Sequence, residues 1–280
     1  EGAIAVQARS TLEETHFLLE LARKHDTVKA VVGWADLCAS NLDEVLDELC
    51  QHQHLRGLRH IVQDEPDDQF LLRNDFQDGV RKLGDRNLVY DILIYPRQLD
   101  AAVSFVAALP DQPFVLDHLA KPDIKNQNVN AWQLGFDGMA QFEQVSCKVS
   151  GMVTEANWNN WKPDDFRHYL DSALEAFGPD RLLFGSDWPV CLLAAKDYAD
   201  RGLGASAQPK RATTTLRRQR RPHLRNRQQV MSNTYLVTGA MGCIGAWVVK
   251  QLAERGDTPV VFDIGGDARR IQDVLDEATL

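Results

Sequence analysis

The chain has 280 residues, of which 44% are hydrophobic and 25% are charged, and its formal net charge is −9. This composition supports a buried core, in one large domain or two small ones. No run approaches the roughly 18 consecutive apolar residues of a membrane span, and no signal-peptide pattern opens the sequence, so we predict a cytoplasmic protein that does not enter a membrane. Five scattered cysteines without a C-x-x-C pair predict reduced thiols.

Residues 1–200 alternate short apolar runs with amphipathic stretches, which predicts a repeated strand–helix rhythm. The predicted strands are residues 3–8, 29–36, 57–63, 88–94, 113–119, 145–151 and 181–189. The predicted helices are residues 11–25, 42–50, 68–83, 98–109, 130–142 and 164–177, the second of them entered through a capping box at Ser40, Asn41 and Glu44. This order implies parallel strands joined by right-handed crossovers, in an open doubly wound sheet or a closed barrel.

Polar residues near the ends of most of these strands favour the barrel. They are Gln7, Trp34, Asp36, Arg59, His60, Gln63, Asp117, His118, Lys148, Ser150 and Asp187. A (β/α)8 barrel delivers the C-terminal end of every strand to one mouth, whereas an open sheet gathers only the strands near its switch point. We therefore predict an α/β fold of the TIM-barrel type over residues 1–200. With seven strands instead of eight, the barrel is expected to lack its first strand.

Two strand ends carry the candidate reactive groups. Asp187 ends the apolar strand predicted from Leu182, where a carboxylate can take a proton from water or bind a metal; the alternative is a cap for the next loop or helix. His118 can ligate a metal or polarise a carbonyl, and Lys121 can hold a carboxylate or an oxyanion. The alternative for this pair is a hydrogen-bonded core histidine beside a solvent-facing lysine.

Arg59 and His60 are predicted to lie on opposite faces of one strand, because side chains alternate along a strand. Arg59 is a candidate bidentate anchor for a substrate carboxylate. The alternative is an ion pair inside or beneath the barrel.

Five blocks in fixed order resemble the amidohydrolase-related lactonase family, which includes L-fuconolactonases and pyrone-dicarboxylate lactonases. They are VVGWADL (31–37), GLRHIVQ (57–63), FVLDHLAKP (114–122), KVSG (148–151) and RLLFGSDWPV (181–190). The resemblance implies a (β/α)8 hydrolase that opens a sugar-acid or carboxylated lactone by attack of water. It implies that Asp187 accepts the proton of this water and that His118 assists at the carbonyl. Gln7, Arg59 and His60 match other mouth positions, and with Trp34 and Lys121 they are the candidate substrate-binding residues.

The sequence departs from this family at its first strand, which carries His-x-His. No such pair precedes Gly33, and the pair His52 and His54 is predicted to lie in a solvated turn. Some family members bind a divalent metal and others do not. The resemblance therefore leaves a metal such as zinc open, with Asp187 and His118 as its candidate ligands.

Residues 201–230 contain eight arginines, one lysine and no acidic residue. With few large apolar side chains, this segment cannot offset the entropy of ordering, so we predict a basic, disordered linker. The linker is either the product of a shifted reading frame or an ordinary connection. A nucleic-acid-binding arm is the remaining alternative, but the segment lacks aromatic side chains and a neighbouring fold of that kind.

Residues 231–280 predict a partial dinucleotide-binding Rossmann unit. A strand runs into Gly239, Gly242 and Gly245, and after a helical stretch a second strand ends at Asp263. The glycines let a pyrophosphate approach a helix N-terminus, and Asp263 is placed to bind the ribose of NAD. The segment resembles the start of NAD-dependent epimerases and dehydratases, without their catalytic Tyr-x-x-x-Lys. An NAD(P)-binding fragment and a non-catalytic fusion are therefore the alternatives to the lactonase.

Overall fold

The computed structural model describes residues 2–194, 234–238 and 258–262. The chain divides into two units, residues 1–196 and 197–280. In the second unit two strands, Thr234–Thr238 and Thr258–Phe262, pair in parallel where the sequence predicts strands. The predicted linker at 201–230 and the predicted NAD-binding residues Gly239, Gly242, Gly245 and Asp263 lie outside the described residues. No helix in the described part is long and apolar enough to cross a membrane.

The first unit contains a parallel sheet of seven strands, in which each strand pairs with the next along the chain. The strands are β1 (Ala3–Val6), β2 (Val28–Gly33), β3 (Leu55–His60), β4 (Val89–Ile92), β5 (Phe114–Leu116), β6 (Val145–Val149) and β7 (Leu182–Phe184). The helices are α1 (Leu12–Lys24), α2 (Leu42–Leu49), α3 (Asn74–Gly84), α4 (Leu99–Ala107), α5 (Asn130–Ala140), α6 (Met152–Glu155) and α7 (Asp164–Phe177). Within the described residues β1 and β7 each pair on one side only, so the sheet is not closed and forms a half-barrel. The predicted barrel-type rhythm is confirmed.

Two local predictions are wrong. The helix predicted from residue 68 begins at Asn74, because a 3-10 turn at Phe70–Leu72 is followed by Arg73 in an extended conformation. The capping box predicted for α2 does not form, because the side chain of Asn41 makes no capping hydrogen bond. At α1, by contrast, Thr11 Oγ1 accepts a hydrogen bond from the backbone N–H of Glu14 at 3.2 Å.

An aromatic cluster joins the middle of the sheet to the helices that cover it. Phe76 from α3, Tyr90 from β4, Phe105 from α4 and Phe114 from β5 are all buried. Neighbouring ring centroids lie between 5.4 and 6.4 Å apart, mostly in edge-to-face arrangements. Such pairs add specific geometry to the burial of apolar area. They fix the distance between the two layers at β4 and β5.

A buried ionic network ties β3, β4, β5 and β6 together. Lys148 Nζ lies 2.5 Å from Asp91 Oδ2 and 2.6 Å from Asp117 Oδ1. Arg59 Nη1 donates a hydrogen bond to Asp117 Oδ2 at 2.7 Å. The Asp117 side chain is 0% exposed and that of Asp91 2%. Two cations and two carboxylates balance in charge, as buried charges require.

The network favours the ionised forms of Lys148 and Asp117 despite their burial, whereas burial raises the pKa of Asp91 to about 6, with Lys148 opposing the rise. Burial alone lowers the pKa of Lys148, but Asp117 and Asp91 outweigh this effect and hold that pKa above its ordinary value. Burial likewise raises the pKa of Asp117, but Lys148 and Arg59 together hold it below its ordinary value. Lys148 is therefore an ammonium ion shared by two carboxylates.

We expect Lys148→Met to destabilise the fold by about 3–5 kcal/mol, because the change leaves Asp91 without its cation in a buried position. Urea unfolding measures the free energy of unfolding. The matched control is Lys82→Met, which breaks a more exposed ion pair with Asp43 and is expected to cost no more than about 1 kcal/mol. Equal losses in the two variants would contradict the account of the network.

Candidate active site

A left-handed turn follows β5 and carries two of the predicted site residues. The strand ends at Leu116, earlier than predicted, and residues 118–121 all have φ between 50° and 56°. Consecutive left-handed residues other than glycine are unfavourable, so the surrounding structure must hold them. The backbone N–H of Lys121 donates to the carbonyl of His118 at 2.8 Å, and Trp132 Nε1 donates to the carbonyl of Leu119 at 2.7 Å. The turn places His118 and Lys121 on the C-terminal side of the strands.

Asp187 approaches His118 from the segment after β7. The strand ends at Phe184, and Asp187 follows in a left-handed conformation with φ of 54°. Its Oδ1 lies 3.7 Å from His118 Nε2, and its side chain is 15% exposed. Burial raises the pKa of Asp187 to about 6, with Lys121 and Arg59 opposing the rise. A carboxylate with this pKa is suited to accept a proton near neutral pH.

His118 is a neutral imidazole at neutral pH. Burial lowers its pKa to about 3. Its Nδ1 lies 2.8 Å from Ser150 Oγ, while its Nε2 faces Asp187. The negative charge of Asp187 favours a proton on the nearer nitrogen, so Nε2 carries the hydrogen and the Ser150 hydroxyl donates to Nδ1. The ring therefore presents one N–H donor beside the Asp187 carboxylate.

Glu155, which sequence reasoning missed, lies beside Lys121. Glu155 Oε1 is 3.9 Å from Lys121 Nζ, and this ammonium also lies 5.3 Å from the centre of the Tyr95 ring. Burial raises the pKa of Glu155, with Lys121 opposing the rise. Glu155 is the last residue of the short helix α6 and not a strand end. The sequence signal that could have identified Glu155 is its position in the segment that follows β6, at the end of the sheet where the site lies.

Gln7 and Arg59 are engaged with each other. Gln7 is 0% exposed, and its Nε2 donates to the carbonyl of Arg59 at 3.1 Å. Arg59 donates in return to the carbonyl of Gln7 and pairs with Asp117. These contacts match the alternative of an ion pair inside the sheet, because the guanidinium is already paired with a carboxylate.

Trp34, which follows β2, contacts His60 on the face of β3 opposite Arg59. Trp34 Nε1 donates to His60 Nδ1 at 3.2 Å, and His60 Nε2 lies 2.7 Å from Glu65 Oε1. The imidazole also stacks on Phe70 with a centroid distance of 5.1 Å. Trp34 lines a cleft of about 440 Å³ beside the start of α1. The structure thus gathers the predicted residues into two groups, one around Asp187 and His118 and the other around His60.

The described residues do not fit a resident zinc ion. No three His, Cys, Asp or Glu side chains among them are grouped so that they could hold a metal. Asp187 and His118 offer two donors, whereas zinc sites use three or four protein ligands.

Gly151 supports the His118 ring directly. Its φ is 65°, and a Cβ added there would lie 2.7 Å from His118 Cγ. We expect Gly151→Ala to lower the melting temperature and to displace the ring. Gly178→Ala is the matched control, because its φ is 68° but nothing lies within 4 Å of the added Cβ. It introduces only the backbone strain, of order 1 kcal/mol.

Thermal unfolding and the NMR resonances of the His118 ring would measure these effects. The alanine at 151 should lower the melting temperature more than the alanine at 178, and it alone should move the ring resonances. If both variants behave alike, then contact with Gly151 does not position the imidazole.

Comparison with known proteins places the chain in a family. The Amidohydrolase family model matches residues 1–219. An L-fucono-1,5-lactonase of Burkholderia multivorans is 46% identical over 204 residues, which cover 69% of each chain. An L-fucono-1,5-lactonase of Burkholderia ambifaria is 34% identical, covering 69% of this chain and 67% of that protein. A crystal structure of a B. multivorans amidohydrolase with bound zinc is 46% identical with a TM-score of 0.66, covering 69% of this chain and 70% of the other. The chain therefore belongs to the amidohydrolase family.

Proposed function

We propose that this protein hydrolyses a sugar-acid lactone, with Asp187 as the proton acceptor for the attacking water. The observation that carries the proposal is the pairing of a carboxylate whose pKa is about 6 with a neutral imidazole 3.7 Å away. The two similar L-fucono-1,5-lactonases support the reaction class. The 3.7 Å between His118 Nε2 and Asp187 Oδ1 is longer than a hydrogen bond, so both groups remain able to bond to water or substrate.

The groups described can carry each step of this reaction. Asp187 accepts a proton from water as the oxygen of this water bonds to the lactone carbonyl carbon. The carbonyl oxygen gains the electron pair of the C=O double bond, and the Nε2–H of His118 and the ammonium of Lys121 donate to it. When this pair re-forms the C=O bond, the ring C–O bond breaks. The departing alkoxide takes the proton from Asp187, which leaves a hydroxy acid and the starting carboxylate.

The charges near Asp187 favour a lactone without extra carboxylates. Arg59 and Lys148 are paired with Asp117 and Asp91. The third cation, Lys121, lies beside Glu155. Arg59 and Lys148 are not left to balance the carboxylates of a pyrone dicarboxylate, and Lys121 is assigned to the carbonyl oxygen, whereas the site carboxylates can accept hydrogen bonds from sugar hydroxyls. We therefore expect turnover of L-fucono-1,5-lactone and little turnover of 2-pyrone-4,6-dicarboxylate.

Asp187→Asn should lower kcat by at least about a hundredfold, because the amide cannot accept the proton. In the unchanged protein, kcat/KM should fall as the pH drops through about 6, where Asp187 becomes protonated. A pH-stat assay on L-fucono-1,5-lactone measures both effects. Asp111→Asn, at an exposed position, serves as the matched control and should retain full activity. Full activity in Asp187→Asn would refute the proposed role.

The same variant should be more stable than the unchanged protein at pH 8. The folded pKa of Asp187 lies above its ordinary value of 3.8, so the ionised carboxylate costs stability above pH 6, and this cost fades as the pH falls towards 4. The gain at pH 8 is up to about 3 kcal/mol. A higher melting temperature together with lost turnover would separate catalysis from folding. A lower melting temperature would contradict the assignment of burial as the cause of the shift.

A dinucleotide-binding role for residues 231–280 is a separate proposal. The parallel pairing of Thr234–Thr238 with Thr258–Phe262, on either side of the glycine pattern, supports it. NAD would then raise the melting temperature of the chain, and Gly242→Val would abolish the rise by blocking the approach of the pyrophosphate. No rise with millimolar NAD would refute the proposal.

A further inference from the structure

The short helix α6 contacts the left-handed turn at both of its ends. At the start of α6, Gly151 lies against the ring of His118. At its end, the backbone carbonyl of Glu155 accepts a hydrogen bond from Lys125 N–H at 2.9 Å. The Glu155 carboxylate reaches the ammonium of Lys121. The segment after β6 therefore fixes the segment after β5 by backbone and side-chain contacts together.

Lys121 depends on such contacts for its position. Its ammonium lies on a flexible four-carbon stem, which loses side-chain entropy when it is held in one conformation. The side chain is 16% exposed, and Glu155 at 3.9 Å and the ring of Tyr95 at 5.3 Å flank its ammonium. Of these two contacts, only Glu155 supplies a full opposite charge.

We propose that Glu155 is a positioning residue that holds the Lys121 ammonium where it meets the carbonyl oxygen of the substrate. This inference rests on the proposed lactonase function. Without the Glu155 carboxylate, the ammonium is free to move towards Asp187, a carboxylate that lies close enough for Lys121 to lower its pKa. A displacement of about 1 Å in an active site can lower a rate by roughly a hundredfold. The effect of Glu155 on catalysis therefore passes through Lys121.

The position of Lys121 can be tested without any substrate. Acylation of lysine amines with acetic anhydride, read by mass spectrometry of the full chain, reports how tightly each ammonium is held. In Glu155→Gln, labelling of Lys121 should become at least about threefold faster, while Lys82 serves as an internal reference. The matched control is Glu175→Gln, an exposed position on α7. Unchanged labelling of Lys121 in Glu155→Gln would overturn the proposal.

A double-variant cycle tests the catalytic consequence. Glu155→Gln should lower kcat at least about tenfold and change KM less than threefold, because Lys121 acts on the oxyanion. In a Lys121→Met background, the same change should cause no further loss. Losses that add in the two backgrounds would give Glu155 a role independent of Lys121 and overturn the proposal. Faster labelling in a protein without lactonase activity would refute the proposed function while supporting the contact between Glu155 and Lys121.

Discussion

Lys148 is the group on which the arrangement of the site depends. It lies on β6, largely covered, between the buried side chains of Asp91 on β4 and Asp117 after β5. A buried ammonium with two carboxylates is stable only when all three remain in place, so these strands cannot shift independently. Asp117 is also the residue directly before His118. The same carboxylate that balances Lys148 and Arg59 thus anchors the start of the left-handed turn.

This balance also explains why Asp187 is a usable base. Arg59 and Lys148 lower the pKa of Asp187, but their charges are largely offset by Asp117 and Asp91. Burial therefore dominates, and the carboxyl group titrates near pH 6. Unpaired cations at these positions would hold its pKa lower and make it a weaker base. The groups that hold the sheet together are thus distinct from Asp187, the carboxyl group proposed to accept a proton.

Sequence reasoning found the strand–helix rhythm and the candidates Asp187 and His118, because hydrophobic periodicity and polar strand ends are local signals. It left Arg59 open between two interpretations, since side-chain alternation gives a face and not a partner. It assigned no role to Asp91, which lies inside an apolar strand and acquires its meaning from Lys148, 57 residues away. The left-handed turn was also beyond its reach, because His-Leu-Ala-Lys contains no glycine to indicate positive φ.

Asp187 follows β7, a strand that is supported by a neighbouring strand on one side only within the described residues. Within the described residues β7 pairs only with β6, and Leu183 in its centre is 41% exposed. Such a strand offers less support than one paired on both sides. Short-range contacts compensate, because the carbonyl of Asp187 accepts a hydrogen bond from Cys191 N–H at 2.9 Å and the carboxylate faces His118. Ser150 and Gly151, which follow β6, fix His118. Asp187 follows β7, which pairs with β6. The strand β6 therefore supports both His118 and Asp187.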